Sequence, residues 1–209
     1  MEPKFTEKES LSLINEMIAQ ARNNFQKGAG TSFIFYGYMV AFTALLNVVL
    51  LQVLPNPYLS FHVWWLMAPA GFVNRCIEKK LRSQAMLKTH IDSIIKTTWR
   101  GFAFAVVLLL IVIFGYGIAQ KNHLLFVLIT PMIMIMTGIA EYVTAKACRF
   151  KPVETGAYIL WAGALACLAS YVFCSCCSGI IQFFILALCM ILAFVVPGYK
   201  MNKMAKEHV

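Results

Sequence analysis

The sequence predicts an all-α polytopic membrane protein, with six transmembrane helices arranged as three hairpins and an amphipathic cytoplasmic helix ahead of them. Three observations predict it. Apolar residues make up 60% of the chain, against ~45–50% in soluble domains, and the mean hydropathy is +0.73. Those residues gather into six continuous runs, each near the ~20 residues that an α-helix needs to cross a bilayer. All but one of the 18 Lys and Arg residues fall on one side of these runs, the exception being Lys121. Continuous rather than alternating apolar runs argue against strands. Backbone groups in hydrocarbon must be satisfied within their own segment, which makes the runs helices.

The first thirty residues are polar and charged and contain no apolar core of a cleavable signal peptide. The first span is therefore expected to act as a retained signal anchor. Within 1–30, Thr6-Glu7-Lys8-Glu9 has the form of a capping box. Leu11, Ile14, Ile18, Ala21 and Phe25 then recur at three- and four-residue steps, giving one apolar stripe. Gly28-Ala29-Gly30 offers a hinge into the membrane domain. Such a helix either lies on the lipid surface or docks on a cytoplasmic protein partner or a second copy through residues 6–27.

The membrane domain, 31–198, holds spans at about 31–54, 59–77, 99–119, 123–144, 155–173 and 179–197. Short turns join each pair on the outer side: Pro55-Asn56-Pro57, Gln120-Lys121-Asn122, and 174–178. The cytoplasmic connector 78–98 has an approximate apolar face in Leu81, Ala85, Ile91, Ile94 and Ile95, and is expected to run straight into the third span. Span five is built of small residues, Gly156, Ala157, Ala162, Gly163, Ala164, Ala166, Cys167, Ala169 and Ser170, which favours a central, close-packed position. A basic tail, 199–209, closes the chain.

By the positive-inside rule both termini are cytoplasmic, and the expected location is a bacterial inner membrane crossed several times. The net charge of +9 is accounted for by this topological signal and by attraction to anionic lipid, at about 1 kcal/mol per basic residue near the surface. Its dispersal over four cytoplasmic stretches excludes a nucleic-acid stripe.

Few residues carry candidate chemistry. Glu141 is the one acidic residue close to the hydrocarbon region, and an ionisable group there calls for a partner or a function. Arg100 lies about as far before the Lys121 turn as Glu141 lies after it, so an ion pair at the cytoplasmic rim is one reading. The other is a polar binding site shared with Asn74, Asn202 and Tyr199 from the matching ends of the other hairpins. Asn47, near the middle of span one, reads as a polar group that glues helices together. On the outer rim, His62, His123, Cys174, Cys176 and Cys177 should lie at similar depth. Thiolates with imidazoles suit copper or zinc, while the compartment also permits a disulfide, and interfacial residues without a role would look the same. No zinc-protease helix, nucleophile elbow or phosphate-cradling loop occurs, so no catalytic residues and no cofactor are expected.

Glu9-Ser10-Leu11 with Leu13-Ile14 and Met17-Ile18, Phe33-Ile34-Phe35-Tyr36-Gly37-Tyr38, Arg149-Phe150-Lys151-Pro152, and Pro197-Gly198-Tyr199 with Asn202 carry a resemblance. The chain resembles uncharacterised small six-span integral membrane proteins of Bacteroidota-type bacteria. In that family His often stands where Tyr199 stands here. The resemblance implies a membrane companion of winged-helix regulators, with a role in regulation or stress response. The expected function is a non-enzymatic membrane protein that regulates or scaffolds through its cytoplasmic helices. The alternative is a small transporter or channel subunit for a hydrophobic or cationic solute.

Overall fold

A computed structural model of the chain describes residues 11–12, 29–82, 90–120, 124–174 and 177–207. All regular secondary structure among the described residues is helical. The elements are α1 (Ala29–Val53), a 3-10 stretch (Pro57–Leu66), α2 (Met67–Arg82), α3 (His90–Gln120), α4 (Leu124–Val127), α5 (Ile129–Cys148), α6 (Lys151–Phe173) and α7 (Ser178–Met190). α7 continues through a π-helical turn (Ile191–Val195) into α8 (Val196–Glu207). The expected N-terminal helix, 6–27, lies outside the described residues except for Leu11 and Ser12, which are helical. From His90 the connector runs without a break into α3, as its periodicity predicts.

Among the described residues, five segments are long and apolar enough to cross a membrane: Gly30–Val53, Ser93–Gly117, Leu125–Cys148, Lys151–Phe173 and Ser178–Met204. They coincide, within a few residues at most ends, with five of the six predicted spans. The sixth, 59–77, is not a single α-helix. Its first part is the 3-10 stretch, and α-helical winding begins at Met67. Aromatic and β-branched residues crowd that part, and they are poor helix formers.

Three prolines explain where the helices are interrupted. A proline inside a helix has no N–H for the carbonyl four residues earlier, and its ring collides with that carbonyl. Pro69 acts in this way on Trp65, at the end of the 3-10 stretch. Pro131 acts on Val127, the last residue of α4, and Leu128 forms a turn there. Pro197 acts on Ala193, in the middle of the π-helical turn. In each case the winding changes at or within a few residues of the affected carbonyl.

The hairpin of α5 and α6 has the most extensive helix–helix contact in the fold. Its connection is two residues, Arg149 and Phe150. Arg149 caps α5 in the left-handed conformation, with φ 53°, and its N–H reaches the carbonyls of Ala145 and Lys146. Phe150 is extended and Pro152 follows in the first turn of α6, where a missing N–H costs nothing. α6 also packs on α7, the π-turn and α8, and α1 lies along the same three elements. Gly156, Ala157, Gly163, Ala164 and Cys167 of α6 are buried, whereas Ala162, Ala166 and Ala169 are exposed. α6 thus packs through one small-residue face. The central position its composition predicts falls to the Ser178–Met204 segment, half of whose apolar stretch is buried, against a third in α6. Leu160, Ala164 and Cys167 are buried with Ala44, Met134, Leu186 and Phe194 from its neighbours.

The outside is apolar. Phe104, Ile111, Val112, Leu165, Val172, Phe173 and Leu188 are all more than half exposed, on a scale far beyond the patches of a soluble monomer. Hydrocarbon is the solvent this surface suits.

Candidate functional site: the Glu141 pocket

The buried face of α5 is formed by Met134, Thr137, Gly138, Glu141, Thr144 and Ala145. Their three- and four-residue spacing is one helical stripe, and Glu141 falls in the middle of it. Its side chain is 0% exposed, and neither carboxyl oxygen has a hydrogen-bond partner within the protein. The expected pair with Arg100 is not formed, and Arg100 is exposed. The depth expected for the hairpin is nevertheless right, because Trp99 donates its indole N–H to the Thr144 hydroxyl, 3.2 Å away. Adjacent helical positions differ by about 100° in direction. Turning Trp99 toward α5 therefore turns Arg100 away from it.

The carboxyl faces α6 at Gly156, and the chain behind Gly156 is the π-turn. A Cβ at Gly156 would lie 2.6 Å from Glu141 Oε1 and 2.7 Å from the carbonyl oxygen of Ala193. Both oxygens press on Gly156 so closely that no Cβ fits there, and only glycine lets Glu141 and the π-turn approach α6 this far. In an α-helical pattern residue 197 would serve the Ala193 carbonyl, and Pro197 has no N–H to give it. In the π-turn the pattern shifts by one residue, Val196 donating to the Ile191 carbonyl. Proline, π-turn, glycine and carboxyl thus meet at one point. α-Helices with π-turns often carry function there. Sequence reasoning found Glu141 but missed Gly156, Ala193 and Pro197. The available signal was a proline ending an apolar run whose helix continues beyond it.

The other expected rim residues are not part of this pocket. Asn74 is buried on α2, and its amide nitrogen donates to Glu78 Oε1 at 3.3 Å. Ser32 of α1 donates to the same carboxylate oxygen at 3.4 Å. The Asn74 carbonyl oxygen has no partner. Asn202 is half-buried and packs its side-chain oxygen against Gly30, where α1 and α8 approach closely. Tyr199 is exposed and its hydroxyl lies 3.5 Å from that of Tyr38. Lys146 pairs with Glu154 across the α5–α6 turn.

Asn47 is fully buried, and both polar atoms of its amide are without partners, which does not match the expected interhelical glue. Of the residues expected on the outer rim, His62 is exposed and its Nδ1 lies 3.2 Å from the Leu59 carbonyl of its own turn. Cys174 is half-buried with a free thiol, and Cys177 is exposed. His123 and Cys176 lie outside the described residues. No group of three His, Cys, Asp or Glu side chains able to hold a metal occurs among the described residues.

Comparison with models of protein families, with curated proteins and with solved structures finds no match.

Proposed function

We propose that this chain is a small ion-translocating protein of a bacterial cytoplasmic membrane, with Glu141 as the group that takes up the ion. The carrying observation is a carboxyl that is 0% exposed and has no partner on either oxygen. Burying a carboxylate without a counter-charge costs several kcal/mol, so a structural carboxylate is ordinarily paired. Unpaired intramembrane carboxyls mark ion pathways and proton relays. The buried Asn47 amide, with neither polar atom partnered, and the buried Asn74 carbonyl oxygen add unsatisfied polar atoms to the interior, each a further departure from a core built solely for stability. Among the sequence readings, this favours the transporter or channel subunit for a cationic solute. Docking through residues 6–27 rests on the apolar stripe Leu11, Ile14, Ile18, Ala21 and Phe25 and stands as the second reading.

The proposal includes a sixth crossing, made by the 3-10 stretch and the start of α2. A 3-10 helix rises about 2.0 Å per residue and an α-helix about 1.5 Å. From Pro57 to Asn74, before the charges that begin at Arg75, this gives about 32 Å, against a hydrocarbon core of about 30 Å. Trp65, Leu66, Phe72 and Val73 are exposed along it, as lipid-facing residues would be. Six crossings put both termini on the basic, cytoplasmic side.

The test is flux in proteoliposomes of the purified full chain, with pH-sensitive and cation-sensitive dyes inside. Ion-dependent flux that drops at least tenfold in Glu141→Gln supports the reading. Vesicles no leakier than protein-free controls overturn it. Epitope tags at the two ends, probed in sealed right-side-out vesicles, should both be protected. One accessible end overturns the sixth crossing.

A further inference from the structure

We infer that the Glu141 pocket binds and releases a proton, with the Ala193 carbonyl as the acceptor that holds it. This rests on the ion-translocation reading and names its ion. The argument starts from the donor set. A hard metal cation takes about six oxygen ligands, whereas at Gly156 one carboxyl oxygen and one backbone carbonyl press close with no room left even for a Cβ. A proton needs just that: one oxygen to carry it and one lone pair to receive its hydrogen bond. Pro197 has no N–H to offer the Ala193 carbonyl in the α-helical pattern, so of the two residues placed to serve it only Gly198, in the π-pattern, carries an N–H. Gly156 supplies the close approach, since a Cβ there would collide with both oxygens.

Among the described residues no side chain hydrogen-bonds or ion-pairs with Glu141. On α5 itself Lys146 is paired with Glu154 of α6 and lies against the ring of Tyr142. Tyr142, Tyr158 and Trp161 pack on one another edge-on or tilted. On α3, Arg100 is exposed. Cys167 of α6 and Cys189 of α7 lie toward the other end, where their thiols engage Met134, the Gln182 carbonyl and the Ile159 carbonyl. The π-turn and the first turn of α8, up to Tyr199, bring no titratable side chain before that exposed tyrosine. The step balances without a co-reactant. The carboxylate takes a proton from water at the basic end to become the acid, whose O–H donates to the Ala193 carbonyl, and reversal returns the proton.

Infrared difference spectroscopy of the full chain in lipid vesicles tests this independently of flux. A protonated-carboxyl stretch that shifts in heavy water within the experiment, and is absent in Glu141→Gln, is the expected result. In Pro197→Ala, where residue 197 regains an N–H for the Ala193 carbonyl, the same band should move to higher frequency as its hydrogen bond weakens. Absence of the band, or a band that never exchanges, overturns the proposal. So does a band removed by sodium or potassium at constant pH, which assigns the site to a metal cation. An exchanging band in a protein that shows no flux leaves the proton site standing and defeats the translocation reading instead.

Discussion

Trp99 and Thr144 join α3 to α5 through one hydrogen bond, indole N–H to hydroxyl, at 3.2 Å. The same hydroxyl donates 2.7 Å back to the Ala140 carbonyl of its own helix, so its proton is already committed and its lone pairs face Trp99. The indole ring is also packed against Phe33, Phe102 and Phe194, which ties α1 and the π-turn to this hairpin. Replacing Thr144 by Val leaves the indole without an acceptor at nearly constant volume. The expected loss is about 1 kcal/mol, in line with interhelical hydrogen bonds in lipid, measured by unfolding in mixed micelles.

Arg100 and Glu141 are expected to be energetically independent. Arg100→Gln should change stability by less than about 0.5 kcal/mol, because the side chain is exposed and distant contacts add independently. A double-mutant cycle with Glu141→Gln should return a coupling near zero. A coupling above ~1 kcal/mol would restore the ion pair.

The glycines divide into two classes. A Cβ at Gly138 would run into the Trp161 ring, and one at Gly163 would sit 2.5 Å from Cys189 Sγ and 2.6 Å from Met134 Cε. Ala at either position should cost about 1–3 kcal/mol through overpacking. Gly101 has nothing within 4 Å of its Cβ position, so Gly101→Ala should be neutral or stabilise α3 by up to about 1 kcal/mol. Thermal unfolding of the three variants in one detergent would check this order.

Arg149 holds a positive φ in the two-residue α5–α6 turn. The left-handed conformation costs an L-residue about 1–2 kcal/mol. Arg149→Gly should be tolerated or mildly stabilising, and Arg149→Val should cost more than 1 kcal/mol because a β-branched chain is worst there (about 1–2 kcal/mol). Yield of folded monomer on size-exclusion chromatography should rank them Gly, Arg, Val.

The helical class and five span positions were legible because bilayer hydrocarbon imposes a length and a composition that a single sequence displays. The depth of Glu141 was legible too, since turn position fixes the register of a hairpin. Its direction was not. Azimuth follows from which neighbour α5 packs on most, and that is α6, whose small residues draw it in. The irregular winding of the second span escaped because hydropathy is blind to helix type, although Pro69 stood there to be read. The pocket at Gly156 depends on a carbonyl and a missing side chain, and a sequence shows neither as chemistry.

Under the proposed sixth crossing, the 3-10 stretch is a ruler with a sliding scale. Rewinding Pro57–Leu66 between 3-10 and α geometry changes its length by about 5 Å with no change of sequence. Mismatch between hydrophobic length and bilayer costs fractions of a kcal/mol per Å, enough in total to bias such a rewinding. Thicker membranes favour the extended form and thinner ones the compact form. In the proposed crossing, the thickness of the surrounding lipid would thereby act on Asn74 and Glu78 at the far end of the same segment.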